Sequence, residues 1–461
     1  MRTILTLGIA LLSLLTNHGS STAEERESTA EERESSEERL LDRVLDARSD
    51  KWDDNRPISA RIADLKNKDA KVRAVTGYML SQEGRKAKGA IPALLVALKD
   101  DNSDVRAMAA YGLAGIGLKA PPAVPILLEC LRDKAPMVRA YAALALAAVR
   151  APTNEVLPPL LGTMKDHDPC ARAYAARSLG GFGAEARLAV KPLITALTDV
   201  DAQVRYEAAY AFRGLGPTGR DAVASLAKLV QNEKEERGTR RNAIIALGAI
   251  GPDAAKAVPV LRKSLADVDN NVRRDAAKAL GRIGPAAKTA VPVLLEHLQS
   301  ETCLDRQNVV EALGRIGPTA VAAAPALQKM LQEKDKAIRL EAAAALASIH
   351  PDHKREAVIQ LRNLLDDESP SVRMKAAAVL LRLIPADRRK ETAMLRLGLK
   401  EKTTRLHTAW ALRESGPEAK ALVPELLALW KDDEQTEVVG DAVAEALKRI
   451  DPDSAKQAGI P

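Results

Sequence analysis

Eleven arginines recur along the 461-residue chain at an almost constant interval, and that interval restricts the possible folds more than any other feature. They are Arg73, Arg106, Arg139, Arg172, Arg205, Arg240, Arg273, Arg306, Arg339, Arg373 and Arg405, separated by 33, 33, 33, 33, 35, 33, 33, 33, 34 and 32 residues. A period of roughly 20–50 residues identifies an array in which each unit buries its apolar face only by stacking on its neighbours. Function in such a chain has to be sought on surfaces.

The same columns surround each arginine. Val or Ile usually precedes it, small residues follow at three and four, Leu at seven and Ile or a similar residue at ten, which is one helical face. At eleven stand Gly84, Gly117, Gly183, Gly216, Gly251, Gly284, Gly317 and Gly416. Glycine there can take the left-handed conformation that closes a helix. At twelve, Pro217, Pro252, Pro285, Pro318, Pro351, Pro385, Pro417 and Pro452 stop its continuation. A second apolar run follows, as in Val124 to Leu131 or Val291 to Leu298, with proline in its first turn and an aspartate near its end. Each unit is therefore expected to be a helix hairpin. Aromatic residues make up 2% of the chain, so the core must be Leu, Val, Ile and Ala, with helix axes roughly 8–10 Å apart.

The recurring VRxxAAxxLGxIG and AVPxLLxxLxD blocks over about residues 70–452 resemble HEAT repeats, specifically the short HEAT-like class named after phycobilisome lyases. The resemblance implies an all-α fold, an α-solenoid of about 12 helix hairpins wound into a right-handed superhelix. It also implies first helices outside, second helices lining the concave side, and scaffolding or partner binding more often than catalysis. A bilin-lyase-like activity follows from the class name alone.

The arginine column admits two readings, a row of cations for acidic partners or an internal ladder. Asp100, Asp133, Asp166, Asp199, Asp267 and Asp366 close second helices a few residues before the next arginine. In HEAT-like proteins such residues look like an inter-repeat ladder, and the planar, permanently charged guanidinium suits pairing with carboxylates. The ladder is the reading adopted.

Residues 1–23 read as a signal peptide. An apolar run from Ile4 to Leu15 follows Arg2, and Ser21-Thr22-Ala23 has a small-x-small cleavage pattern. The expected product is periplasmic or secreted, without a transmembrane segment in the mature chain. Residues 24–39, with their STAEERE stutter, are expected to be an acidic low-complexity tether, and residues 40–69 capping helices. The repeat array covers 70–452 and a tail 453–461. Units one to four lack the column-twelve proline, and two extra residues near Glu233 to Gly238 are expected to alter the local pitch without making a domain boundary.

Charge is unevenly spread. Glu24 to Asp50 hold eight Glu, three Asp and five Arg, a net −6, so residues 51–461 carry +12 of the total +7 once Arg2 is counted. Lys88, Arg187, Arg220, Lys288, Arg355, Lys390 and Lys420 recur two residues before the start of the second helix, with Lys256 displaced by one. They are expected to form a basic ridge that could hold an acidic polymer, nucleic acid or anionic surface. All six tyrosines lie in the first helices of the first five units, and Tyr78, Tyr111 and Tyr210 share the column five after the arginine. Other units carry Arg177, Lys278 and Glu311 there, so the column is expected to face solvent and to offer contacts to a protein partner. Packing across neighbouring helices is the other reading of the tyrosines.

No catalytic chemistry is legible. HExxH, GxSxG and GxxxxGK[ST] are absent from the sequence, and His350 and His353 flank a turn rather than share a helix face. Cys130, Cys170 and Cys303 fall in different layers and are expected to be small apolar residues rather than a disulfide framework. The sequence thus points to an exported, non-catalytic, cofactor-free and metal-free scaffold for a protein partner. Nucleic-acid binding is the weaker alternative, because export argues against it.

Overall fold

A computed structural model of the chain describes residues 36–46, 56–117, 120–299, 306–384, 388–432 and 436–460. The signal peptide, residues 24–35 of the tether and Cys303 lie outside the described residues. Every regular element among the described residues is helical, and the fold is an α-solenoid of twelve hairpins. It divides into two compact units, Met1–Val260 and Leu261–Pro461, each with six arginine-column helices, counting Glu437–Ile450, where Gly440 replaces the arginine. The division falls inside the second helix of repeat six, one helix beyond the two-residue insertion.

Each hairpin follows from its columns. The column-seven residue is at most 1% exposed in all eleven units that carry the arginine, from Leu80 and Leu113 to Leu380 and Leu412, with Phe212 in repeat five. Its second-helix counterpart, a leucine such as Leu94, Leu127, Leu294 or Leu426, is fully buried as well. Burying each such side chain contributes roughly 1.5–3 kcal/mol. The link between the two helices is a 3₁₀ turn, for example Gly216–Ala222, so the chain reverses without a loose loop.

All eight column-eleven glycines have positive φ, between 54° and 75°. Gly117 closes its helix left-handed at φ 62°, ψ 23°. Where proline follows, ψ swings away, to −134° at Gly216 and −137° at Gly251. The proline ring disfavours a helical residue before it, and this region is open essentially to glycine alone. Repeat three places Arg150 in the same column at φ 55°, the one non-glycine residue with positive φ among those described.

Within each unit the arginine-column helices form the inner layer. Their backbones approach closely from one repeat to the next, whereas successive second helices seldom do. Small residues permit this approach. A Cβ on Gly180 would lie 2.5 Å from Cα of Ala211, and one on Gly281 would lie 2.9 Å from Cα of Ala312. The layer with the shorter spacing must be the concave one, and Arg315 and Glu414, from first helices three repeats apart, meet at 2.9 Å. The expectation that first helices lie outside is therefore reversed.

The arginine ladder is real, and its direction is specific. Arg106 donates from Nε and Nη2 to Asp133, 27 residues on, at 2.7 and 2.9 Å, and from Nη1 to the carbonyls of Asp100 and Asp101 at 2.8 and 3.0 Å. Arg73–Asp100, Arg139–Asp166 and Arg172–Asp199 repeat the rung at 2.7–2.9 Å. Each aspartate also accepts the backbone N–H two residues on, as Asp100 does from Asn102 at 2.9 Å. One turn is thus tied to the arginines of two successive repeats. At the insertion, Glu235 takes the place of aspartate and pairs with Arg205 through both oxygens at 2.9 and 3.0 Å.

Unit two keeps the carbonyl contacts and thins the carboxylate ones. Arg339 reaches the carbonyls of Glu333 and Lys334 at 2.6 and 3.0 Å. Asp366, assigned to the ladder from sequence, is exposed instead. The extra residue in that repeat moves the capping role to Asp367, whose carboxylate pairs with Lys336 at 2.9 Å.

Candidate partner-binding surfaces

The helix Ser36–Asp46, here α1, begins inside the stretch expected to be tether, and it does not cap the stack. It crosses the inner face of unit one over the first helices of repeats one and three, Ala70–Gln82 and Pro136–Ala148. Its apolar positions at helical spacing, Leu40, Leu41 and Val44, are 1%, 6% and 2% exposed. Polar groups fix its register. Ser36 donates to Asp168 at 2.8 Å, and Arg43 grips Asp104 through Nε and Nη2 at 3.0 and 2.9 Å.

Beneath α1 runs a line of tyrosines. Tyr78 stacks on Tyr111 at 6.1 Å between centroids, Tyr111 tilts against Tyr141 at 4.8 Å, and Tyr141 meets Tyr174 edge-on at 5.6 Å. The run steps from column five in repeats one and two to column two in repeats three and four, one helical turn toward the N-terminus. Offset and edge-to-face ring pairs each add about 0.5–1.5 kcal/mol beyond burial. Both Tyr141 and Tyr174 donate their hydroxyls to one oxygen of Glu37, at 3.0 and 2.6 Å. Burial, reinforced by the Glu37 charge, pushes both phenols well above their ordinary pKa, so they remain donors.

Tyr78 is 3% exposed and Tyr111 is half-buried, so these two do not form the solvent-facing row expected of them. Column five turns inward along a concave layer, where neighbouring rings and α1 cover it. Tyr210 stands apart, half-buried with the guanidinium carbons of Arg177 and Arg213 at 5.1 and 4.7 Å from its ring centre. Arg177 in turn pairs with Glu207 at 3.0 Å. Burial raises the Glu207 carboxyl, and Arg177 only partly restores it.

The basic column lies elsewhere. Lys88, Arg187, Arg220, Lys288, Arg355, Lys390 and Lys420 are all exposed. Five occupy the 3₁₀ turns, while Arg355 and Lys390 occupy first turns of second helices. The turns carrying Arg187 and Arg220 touch each other, as does the next turn, which carries Lys256. These cations therefore follow one edge of unit one, separate from the tyrosine face; in unit two Lys288 and Lys420 occupy the equivalent 3₁₀ turns, and Arg355 and Lys390 the starts of the helices that follow.

Cys130 and Cys170 are buried and free, and burial pushes their thiols up to about 11 and about 12. His350 accepts the Asp352 N–H at 3.3 Å and so caps the turn Pro351–His353. Among the described residues no three His, Cys, Asp or Glu side chains are grouped to hold a metal ion. One run among them, Arg237–Ser264, is long and apolar enough to cross a bilayer; it is broken at Gly251, and 61% of its most apolar 18 residues are buried.

Sequence columns missed the polar anchors of α1. Ser36, Glu37 and Arg43 fall in a charged segment outside the register, and the one available signal was the helical spacing of Leu40, Leu41 and Val44.

The HEAT-repeat family profile matches residues 58–147, 124–213, 190–267, 239–302 and 291–382, more than half of the sequence. With the stacked hairpins and the ladder, this establishes that the chain belongs to the HEAT-repeat family. Among solved structures, yeast importin-β (Kap95p) is similar at 13% identity over 88% of this chain and 69% of that one, with a TM-score of 0.55. Kap95 in its complex with Nup1 scores the same, with 66% of that chain covered. The chain thus spans about two thirds of these karyopherins, and at such identities the likeness is one of fold. The CpcE–CpcF complex of phycocyanin lyase from Nostoc sp. PCC7120 is similar at 24% identity over 52% of this chain and 94% of that one, with a TM-score of 0.38. No curated protein sequence matches the chain.

Proposed function

We propose that the chain is an exported, non-catalytic scaffold that holds a helical segment of a protein partner on the inner face of its first unit. The observation that carries this reading is α1. An amphipathic helix seated on a tyrosine floor, with a serine, a glutamate and an arginine fixing its ends, is the helix-in-groove mode of recognition acted out within one chain. A cavity of about 190 Å³ remains beside it, between Arg39, Arg43 and the starts of the first helices of repeats two and three. Kap95, of the same architecture, has been solved in a complex with Nup1. Export rests on the sequence of residues 1–23, and the mature chain is expected to begin near Glu24 on N-terminal sequencing.

Crosslinking of the exported protein in its own cells, read by mass spectrometry, tests the reading. An extracytoplasmic protein should crosslink to first helices of repeats one to five, and more strongly when Leu40→Asp and Val44→Asp undock α1. No such partner, or one unaffected by undocking, would sink it. A second reading assigns the basic edge to an acidic polymer or surface, and the exposure of all seven cations favours it. It requires binding that falls steeply with salt. An unchanged mobility shift at low salt removes nucleic acid from that list.

A further inference from the structure

The inner face of unit two carries a different chemistry, which the scaffold reading does not use. Four arginines from four first helices, Arg282, Arg315, Arg413 and Arg449, line one cavity of about 90 Å³, together with Lys278 and Asn308. The carboxylates at hand are two. Glu311 and Glu414 contact Arg315 at 2.8 and 2.9 Å, and Glu414 also lies 3.4 Å from Arg413. Five cations against two carboxylates leave a surplus of three positive charges. Arg282 and Arg449 have no ion-pair partner among the described residues, and the buried Nε of Arg413 has no acceptor. Arg282 and Arg449 reach solvent at the mouth of the cavity, and partial desolvation with the charges of Arg315, Arg449 and Arg413 lowers the Arg282 pKa, as expected where like charges are held together.

We propose that this cluster is a binding site for a phosphate-class oxyanion. Guanidinium groups present planar pairs of N–H donors that match phosphate oxygens two at a time, and a dianion would cancel most of the surplus. A water needs roughly 10–15 Å³ of such space, so the cavity has room for a tetrahedral anion. It adjoins a second cavity of about 330 Å³ through the shared residues Glu311 and Arg315. Ala344, Ala345 and Val379 line that second space alongside Glu341, Lys375 and Arg382, which suits a hydroxyl-bearing organic remainder of a phosphomonoester.

The test is calorimetric titration of the full chain with inorganic phosphate and, separately, with glycerol phosphate, at an ionic strength fixed by chloride. One saturable site with a Kd at or below the order of 1 mM is expected. Tighter binding of glycerol phosphate assigns the site to an ester, and tighter binding of phosphate assigns it to the free ion. The double variant Arg282→Gln/Arg449→Gln should bind at least about tenfold more weakly. Its melting midpoint should equal or exceed that of the parent, because the variant relieves repulsion and breaks no ion pair. If the double variant melts early, Arg449→Gln alone carries the same comparison. Absence of saturable binding, or a variant that binds as tightly as the parent, overturns the proposal.

Discussion

The inner faces of the two units are built on one register and carry opposite chemistry, and column nine shows how. In unit one that column reads Gln82, Gly115, Ala148, Gly181, Gly214 and Ala249; in unit two it reads Arg282, Arg315, Ser348, Arg382, Glu414 and Arg449. Small residues leave a smooth concave layer on which α1 and the tyrosines can lie. Long charged residues instead fill the concavity and pair across it, as Arg315 and Glu414 do. Neither column changes the hairpin, since column seven and its second-helix partner bury equally in both. In a stacked array the fold and the function are thus written in different columns, and a change in one leaves the other intact.

The largest test of this contrast concerns the ladder. Arg139 and Asp166 are 17% and 13% exposed and joined through two short bonds, whereas Arg306 and Glu333 are 40% and 36% exposed and touch once at 3.3 Å. Arg139→Ala strands a shielded carboxylate and two turn carbonyls and should cost about 3–5 kcal/mol. Arg306→Ala should cost about 0–1 kcal/mol. Urea unfolding of the full chain, followed by hydrogen exchange in each unit, reads both. Equal losses would show that the rungs do not differ in kind.

Next is the helix that covers only unit one. Leu40→Ala should destabilise the docking of α1 by about 2–3 kcal/mol. The loss should appear as faster amide exchange in residues 36–46 while repeats five and six keep their protection. Unchanged exchange in α1 would mean that Glu37, Ser36 and Arg43 hold it without the apolar contact.

What the sequence made legible follows the same division. The period, the glycine column and the ladder arginines are set by backbone geometry repeated many times, so residues such as Gly117 and Arg106 can be read from their columns. Which helix layer faces inward depends on inter-repeat distance, and its signal lies in the column-eight glycines Gly180 and Gly281, which the helical period alone does not single out. The burial of Tyr78 depends on a segment 32 or more residues upstream, outside any register. Arg282, Arg315 and Arg449 stood in a column visible from the start, and only folding showed that distant repeats aim them into one space.

Acid should separate the units as well. Burial alone would raise Asp100, Asp133, Asp166 and Asp199, yet the ladder arginines and capped N–H groups outweigh it and hold all four below the ordinary carboxylate value. A depressed folded pKa contributes stability above the unfolded value, near 3.9, that is lost as pH falls through the folded one. Glu207 and Glu236 have the opposite sign, since burial raises them, with Glu235 adding to the effect on Glu236. Their contribution is present at low pH and is lost as pH rises through their folded values. On acidification unit one should therefore firm slightly and then weaken below about pH 4. In unit two Asp367, Glu414 and Asp451 are depressed and Glu341 is raised; Asp451 owes its shift to Ser454 within its own turn, so the acid loss carried by contacts between repeats is expected to be smaller there. Urea midpoints measured against pH would show the two curves crossing or, if the ladder is irrelevant, running parallel.

The smallest effect concerns how a first helix ends. Repeat three of unit one forces Arg150 to φ 55°, while repeats nine and ten of unit two leave the same column extended, with His350 at φ −149° and Ile384 at φ −119°. A non-glycine residue at positive φ costs roughly 1 kcal/mol, and glycine does not. Arg150→Gly should therefore stabilise unit one by up to about 1 kcal/mol, less whatever the arginine side chain contributes. His350→Gly removes no strain, loses the turn cap and adds freedom to the unfolded chain, so it should destabilise unit two by about 1 kcal/mol. The pair of substitutions is identical in chemistry at its destination and opposite in expected sign. If both destabilise, the positive φ at Arg150 carries no strain, and the two ways of closing the helix are equivalent.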